Sequence, residues 1–223
     1  MFMNKKTNLY KSLLCATSML FISTNVAAFE AGDIVVRAGV AHVSPDDSSS
    51  EVSVNGIAQP GTGVDVEDDT QLGLIATYFV TNNLGVSLLA SSPFKHDIKG
   101  EDLGVDDIGS IKQLPPTLTL DYFPLKSTNA FQPHIGVGFN YTIFYSEDSS
   151  SELGADSLDL TNSFGLALKA GVDYQINDRW GVHATAFWID IDTEATIQAG
   201  ANTITVDVDV DPFVYLAGFS YKF

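Results

Sequence analysis

Apolar and polar residues alternate with a period of two along most of this chain, the mark of extended strands with two unlike faces. Residues 163–176 carry the pattern most clearly. Phe164, Leu166, Leu168, Ala170, Val172, Tyr174 and Ile176 share one face; Ser163, Gly165, Ala167, Lys169, Gly171, Asp173 and Gln175 share the other. A strand in a soluble sandwich alternates too, but is usually about 5–6 residues long. A strand crossing a bilayer needs about 9–11. Here the bulky face runs the whole length, and the opposite face is small or charged.

The pattern recurs along the chain. Phe131, Pro133, Ile135, Val137, Phe139, Tyr141, Ile143 and Tyr145 oppose Gln132, His134, Gly136, Gly138, Asn140 and Thr142. Leu72 to Val80 and Phe213 to Phe223 behave alike, and weaker runs cover 33–43, 84–92, 111–123 and 180–192, making eight predicted strands. Short links (Thr81-Asn82-Asn83, Pro124 to Ala130, Asn177-Asp178-Arg179) lie at one end. Long, polar, acidic links at 44–70, 93–110, 146–162 and 193–206 lie at the other. That asymmetry predicts an eight-stranded antiparallel transmembrane β-barrel with short periplasmic turns, long extracellular loops and both termini periplasmic. Full closure also pairs every backbone group, as hydrocarbon demands. Aromatic residues support the assignment. Tyr78, Tyr122, Tyr174, Trp180, Tyr221 and Phe223 gather at the short-turn end, and Phe139, Tyr141, Tyr145, Trp188 and Phe213 toward the other, as interfacial girdles do.

Composition refines this picture at the N-terminus. Lys5, Lys6 and Lys11, an apolar stretch from Leu13 to Ile22 and the small residues Val26-Ala27-Ala28 form a secretory signal peptide. The expected organisation is residues 1–28 as leader and 29–223 as barrel. Cys15, the single cysteine, falls within the leader, so the mature part has neither a disulfide nor a thiolate metal site. Removing three lysines and no acid takes the net charge from −17 to −20. So acidic a chain repels nucleic acid. No stretch after the leader is long and apolar enough for a spanning helix.

The chain resembles the outer-membrane protein W (OmpW) family through an ordered set of short motifs. They begin with Val36-Arg37-Ala38-Gly39, Val43-Ser44-Pro45 and Gln71-Leu72-Gly73-Leu74, then Leu84-Gly85-Val86 and Pro93-Phe94-Lys95-His96. They continue with Leu114-Pro115-Pro116-Thr117-Leu118, Gly136 through Thr142, Ser163-Phe164-Gly165, Gly171-Val172-Asp173-Tyr174, Asp211-Pro212-Phe213 and Gly218 through Phe223. The resemblance implies a barrel in the Gram-negative outer membrane that passes small hydrophobic molecules. It also puts Leu89 and Phe187 where the family carries its apolar constriction, with Phe where some members have Trp. The terminal aromatics Phe219, Tyr221 and Phe223 resemble the signal read by the outer-membrane assembly machinery. Lipid and lipopolysaccharide, that machinery and small apolar solutes are the implied partners; no cofactor is implied.

Parity sorts the lumen residues by depth. Arg37, Asp121, His134, Lys169, Asp173 and Lys222 fall toward the short-turn end, while Ile75, Leu89, Phe144, Phe187 and Ile189 fall higher. An eight-stranded interior is only wide enough for side chains or one small ligand, so a wide aqueous pore is excluded. An apolar collar above a charged layer suits an apolar solute entering from outside. Pro115 and Pro116 each remove a ladder hydrogen bond and mark a candidate lateral opening. The alternative is a closed barrel whose acidic loops act as a receptor or adhesion surface for phage, bacteriocins or host.

Catalytic chemistry is thin. His183 and Thr185 share the lumen face, but no third orienting group accompanies them, and an activated nucleophile needs an oriented base; no enzyme is expected. His42, His96 and His134 read as rim or lumen residues rather than metal ligands. Asp190, Asp192 and Glu194 continue one strand's outward parity, and Asp207, Asp209 and Asp211 that of the next. A patch of Asp190, Asp192, Asp207 and Asp209 could hold a divalent cation through oxygen ligands, although solvated acids on a strand extension explain it more simply.

Overall fold

The computed structural model describes residues 28–101, 107–149 and 156–223; the leader read over residues 1–28 lies outside them except for Ala28. Eight long strands carry the alternation seen in the sequence: β1 (Ile34–Ser44), β2 (Asp69–Phe79), β3 (Leu84–Ser91), β4 (Thr117–Tyr122), β5 (Phe131–Ser149), β6 (Ser163–Gln175), β7 (Trp180–Ile189) and β8 (Phe213–Lys222). Each pairs antiparallel with its chain neighbours. The ring closes where β1 meets β8, from Val35 opposite Lys222 to Ser44 opposite Phe213.

The bulky face points outward. Phe164 is 69% exposed and Phe219 64%, and the outward residues of the other strands follow suit, an apolar band of a size that soluble monomers rarely expose. Hydrocarbon is the solvent that makes such a surface stable. The girdles are present: Trp180 and Tyr221 meet edge-on at 4.9 Å near the short turns, and Phe139 stacks with Phe164 at 5.6 Å toward the other end.

The long links differ from expectation. Residues 93–110 and 193–206 were predicted to be polar loops, yet the chain stays extended through most of them. Phe94–Glu101 pairs with Asp107–Leu114, and Asp192–Ala199 with Asn202–Asp209. The shorter strands Gly63–Val66 and Ser157–Leu160 flank them. The reason is a continued alternation masked by acids: Ala195, Ile197, Val206 and Val208 face inward and are buried, while Glu194 and Asp207 face solvent. These hairpins extend the barrel wall and enclose an apolar interior continuous with the upper lumen.

Strand register packs small residues beside large ones inside. Gly136 stands between Asp121 and Lys169 on its neighbouring strands, and a side chain there would collide with the Asp121 carboxylate. Gly73 leaves room in the same way for Leu216.

Candidate lumen pathway

Three layers fill the interior. At the short-turn end, Phe29 stacks on Phe79 with centroids 4.6 Å apart, and Phe123 lies edge-on to Phe29 and tilted to Phe79 at 5.5 and 4.9 Å. The segment before β1 is tied across this end by Ala28 N–H donating to the Ser127 carbonyl and Gly32 N–H to that of Phe79. Phe79 and Phe123 share inward parity with Thr77 and Asp121, the signal by which the sequence could have revealed this aromatic cap.

Above it lies a buried ionic layer. Arg37 donates through Nε and Nη2 to the two Asp173 carboxylate oxygens at 2.7 and 3.0 Å, and through Nη1 to Thr77 Oγ1 at 2.6 Å. His134 Nδ1 lies 3.3 Å from Asp173 Oδ2. Lys169 Nζ contacts Asp121 Oδ2 at 2.5 Å and Ser87 Oγ at 3.1 Å. Thr119 donates to Asp121 Oδ1 at 2.7 Å, and Ser87 also bonds Asp121. Residues on β1–β6 thus form one hydrogen-bonded layer without an uncompensated charge, as a low-dielectric interior requires. Five of the six residues assigned to this layer from sequence come together. Lys222 instead sits at the rim, 3.7 Å from Asp33, because its strand has already reached the barrel mouth.

The third layer is apolar. Ile75 and Leu89 are cross-strand neighbours and both are buried. The Phe187 ring lies 5.6 Å from Lys169 Nζ and so roofs the ionic layer. Phe144 stands higher, opposite Gln113, among the hairpins. There the interior narrows to an apolar cavity of about 30 Å³ lined by Val64, Ile98, Ile111, Phe144, Ile197 and Val208, with His96 and Gln113 among its few polar groups. A pocket for a drug-sized ligand needs roughly 300–1,000 Å³. Any solute passing here therefore displaces side chains.

The backbone ladder lapses beside this layer. Ladder pairing between strand three and strand four runs to Leu89 opposite Thr117 and resumes at Phe94 opposite Gln113. Pro115 and Pro116 fall in the gap. On the other side, Pro116 O accepts from Tyr141 N–H at 3.1 Å and from Asn140 Nδ2 at 3.3 Å, so that flank stays stitched.

The remaining candidates are dispersed. Asp190, Asp192 and Asp211 bring carboxylate oxygens within 4.8 Å of one another; Asp209 and Asp207 face Asp192 and Glu194 across the hairpin. The tight group thus takes in Asp211, which the sequence-stated patch omits. Burial, and then the charges of Asp190, Asp209 and Asp211, raises the Asp192 carboxyl above its ordinary value. Thr185 Oγ1 has no hydrogen-bond partner among the described residues, so it is not coupled to His183. His42 stays at the rim, 2.9 Å from Thr70 Oγ1.

Residues 30–223 match the OmpW family. Outer membrane protein W of Vibrio cholerae is 38% identical over 221 residues, covering 96% of this chain and all of that protein. The crystal structure of the outer membrane protein OprG from Pseudomonas aeruginosa superposes with a TM-score of 0.86 at 44% identity, over 89% of this chain and 99% of that one. A Pseudomonas aeruginosa protein named dibenzothiophene metabolism operon protein PahQ is 28% identical over 206 residues, covering 92% of this chain and 95% of that protein.

Proposed function

This chain belongs to the OmpW family of outer-membrane barrels, and from that premise we propose that it admits small apolar molecules through its hairpin layer and releases them sideways into the membrane. The observation that carries this is the layering of the lumen. An apolar interior runs from the hairpins down to Ile75 and Leu89 and stops on a layer whose buried charges are paired, Arg37 with Asp173 and Lys169 with Asp121. Passing an apolar solute axially through that layer would separate a buried ion pair at a cost of about 3–5 kcal/mol, whereas the ladder break at Pro115 and Pro116 lies beside the apolar floor. The name of the relative associated with dibenzothiophene metabolism, an apolar aromatic, points the same way.

In this reading the short turns and both termini are periplasmic, residues 1–28 are removed on export, and the outward aromatics Phe219, Tyr221 and Phe223 present the assembly signal. Leu89 and Phe187, with Ile75, form the constriction above the ionic layer, and Phe144 guards the cavity above it. The test is uptake of a fluorescent apolar tracer by cells carrying the barrel in a lipopolysaccharide-rich outer membrane. Leu89→Trp and Phe187→Trp should each slow uptake at least several-fold at equal surface expression. Uptake no faster than in cells without the barrel removes the proposal.

A further inference from the structure

The cavity among the hairpins contains one polar group whose orientation follows from its neighbours. His96 Nδ1 lies 2.6 Å from the Glu67 backbone carbonyl. A carbonyl only accepts, so Nδ1 carries the proton. Burial holds the imidazole below its ordinary value, even with the carboxylates of Asp69, Asp97 and Asp68 nearby, and in the neutral ring Nε2 is then a bare acceptor. The Gln113 side chain, 2.7 Å from that nitrogen, must present its NH2 to it. Its carbonyl oxygen is thereby turned away from His96. Gln113 is 2% exposed, and Oε1 has no hydrogen-bond partner among the described residues. Other polar lining is already satisfied: Thr193 donates to the Thr161 carbonyl at 2.7 Å.

Gln113 borders the apolar cavity, and a buried acceptor left without a partner is costly unless something donates to it. We propose that this cavity, once its lining side chains give way, selects apolar molecules bearing a single hydroxyl, which donates to Gln113 Oε1 while the hydrocarbon body lies against Val64, Ile98, Ile111 and Phe144. The inference rests on the channel reading of the same interior and narrows its substrate class from apolar molecules in general to weakly amphipathic alcohols and phenols. His96 acts here as a positioning residue, since its lone pair takes the amide NH2 and so leaves the oxygen for the solute. A solute offering only an acceptor meets an oxygen facing an oxygen and is disfavoured.

The test compares 2-naphthol, which donates, with 2-methoxynaphthalene and naphthalene, which do not. Binding to the full barrel in nanodiscs is measured against empty nanodiscs of the same lipid. The barrel should bind 2-naphthol about tenfold more tightly than 2-methoxynaphthalene, a difference of about 1.4 kcal/mol. Gln113→Met should remove that preference and leave naphthalene binding within about twofold. Equal binding of the three probes by the unaltered barrel overturns the hydroxyl selection while leaving the channel intact, and needs no variant. Preference retained in a folded Gln113→Met barrel overturns it as well. Absence of saturable binding by all three, together with no uptake, overturns both this inference and the channel beneath it.

Discussion

Asp173 shows most clearly what single residues do in this barrel. Its carboxylate accepts two bonds from Arg37 and lies beside His134, and all three side chains are shut off from solvent. Breaking a buried pair from one side leaves an uncompensated charge, whereas removing both partners does not. Asp173→Ala should therefore destabilise the barrel by about 3–5 kcal/mol, and the double replacement Arg37→Met with Asp173→Leu should recover most of that loss. Urea unfolding in detergent micelles, followed by the mobility shift of heat-denatured barrel on gels, measures both. The parity of the alternation was enough to place Arg37, Asp121, His134, Lys169 and Asp173 inside. It was not enough to pair them, since Arg37 and Asp173 are 136 positions apart on strands that are not neighbours.

At the scale of elements, the hairpins and the proline break matter most. In the hairpin of Asp192–Ala199 and Asn202–Asp209, Asp192 and Asp209 are directly opposed, and like charges directly opposite each other destabilise a ladder. The folded-state carboxyl of Asp192 is raised from 3.8, so the folded protein binds its proton more readily than the unfolded chain does. Stability from this group is thus gained as pH falls through the raised value and is absent at neutral pH. Asp192→Asn should raise the melting temperature at pH 7, and the advantage should disappear below pH 3.8; thermal melts across that range decide it. Pro115 and Pro116 act on the opposite edge of the apolar layer. Replacing both with Thr restores two backbone donors where pairing now lapses between Leu89 and Phe94. Uptake of the apolar tracer should fall several-fold if the gap is the exit, and an unchanged rate rules the gap out. The hairpins were harder to read than the prolines. Their alternation is as regular as that of β6, but carboxylates on the solvent face hide it beneath a loop-like composition.

The whole molecule is an amphipathic wall turned inside out. Lipid takes the large side chains, and the lumen takes small residues, charges and a floor of aromatics. Closure and layering follow from this together: with the outer face apolar, charges that cannot reach water must find partners within the ring, and the ionic layer is where Arg37, Asp173, Lys169 and Asp121 do so. The same closure leaves little free volume, only about 30 Å³ among the hairpins, so passage of a solute depends on side chains giving way rather than on a standing pore. The N-terminal segment completes the design. Phe29 folds back under Phe79 and Phe123, and the Arg37 guanidinium stands 5.7 Å over its ring, which closes the mouth below the ionic layer.

Period-two alternation, strand length and the asymmetry of the links determine a great deal without coordinates: eight membrane strands, which face meets lipid, and which residues enter the lumen. These are local properties, because neighbouring side chains on a strand point to opposite faces whatever the rest of the chain does. Tertiary structure alone decides which inward residues meet, since that depends on register and stagger between strands far apart in sequence. It unites Arg37 with Asp173, folds Phe29 beneath the barrel, moves Lys222 to the rim, and leaves the Gln113 oxygen without a partner beside an apolar cavity because His96 has only a lone pair left to offer.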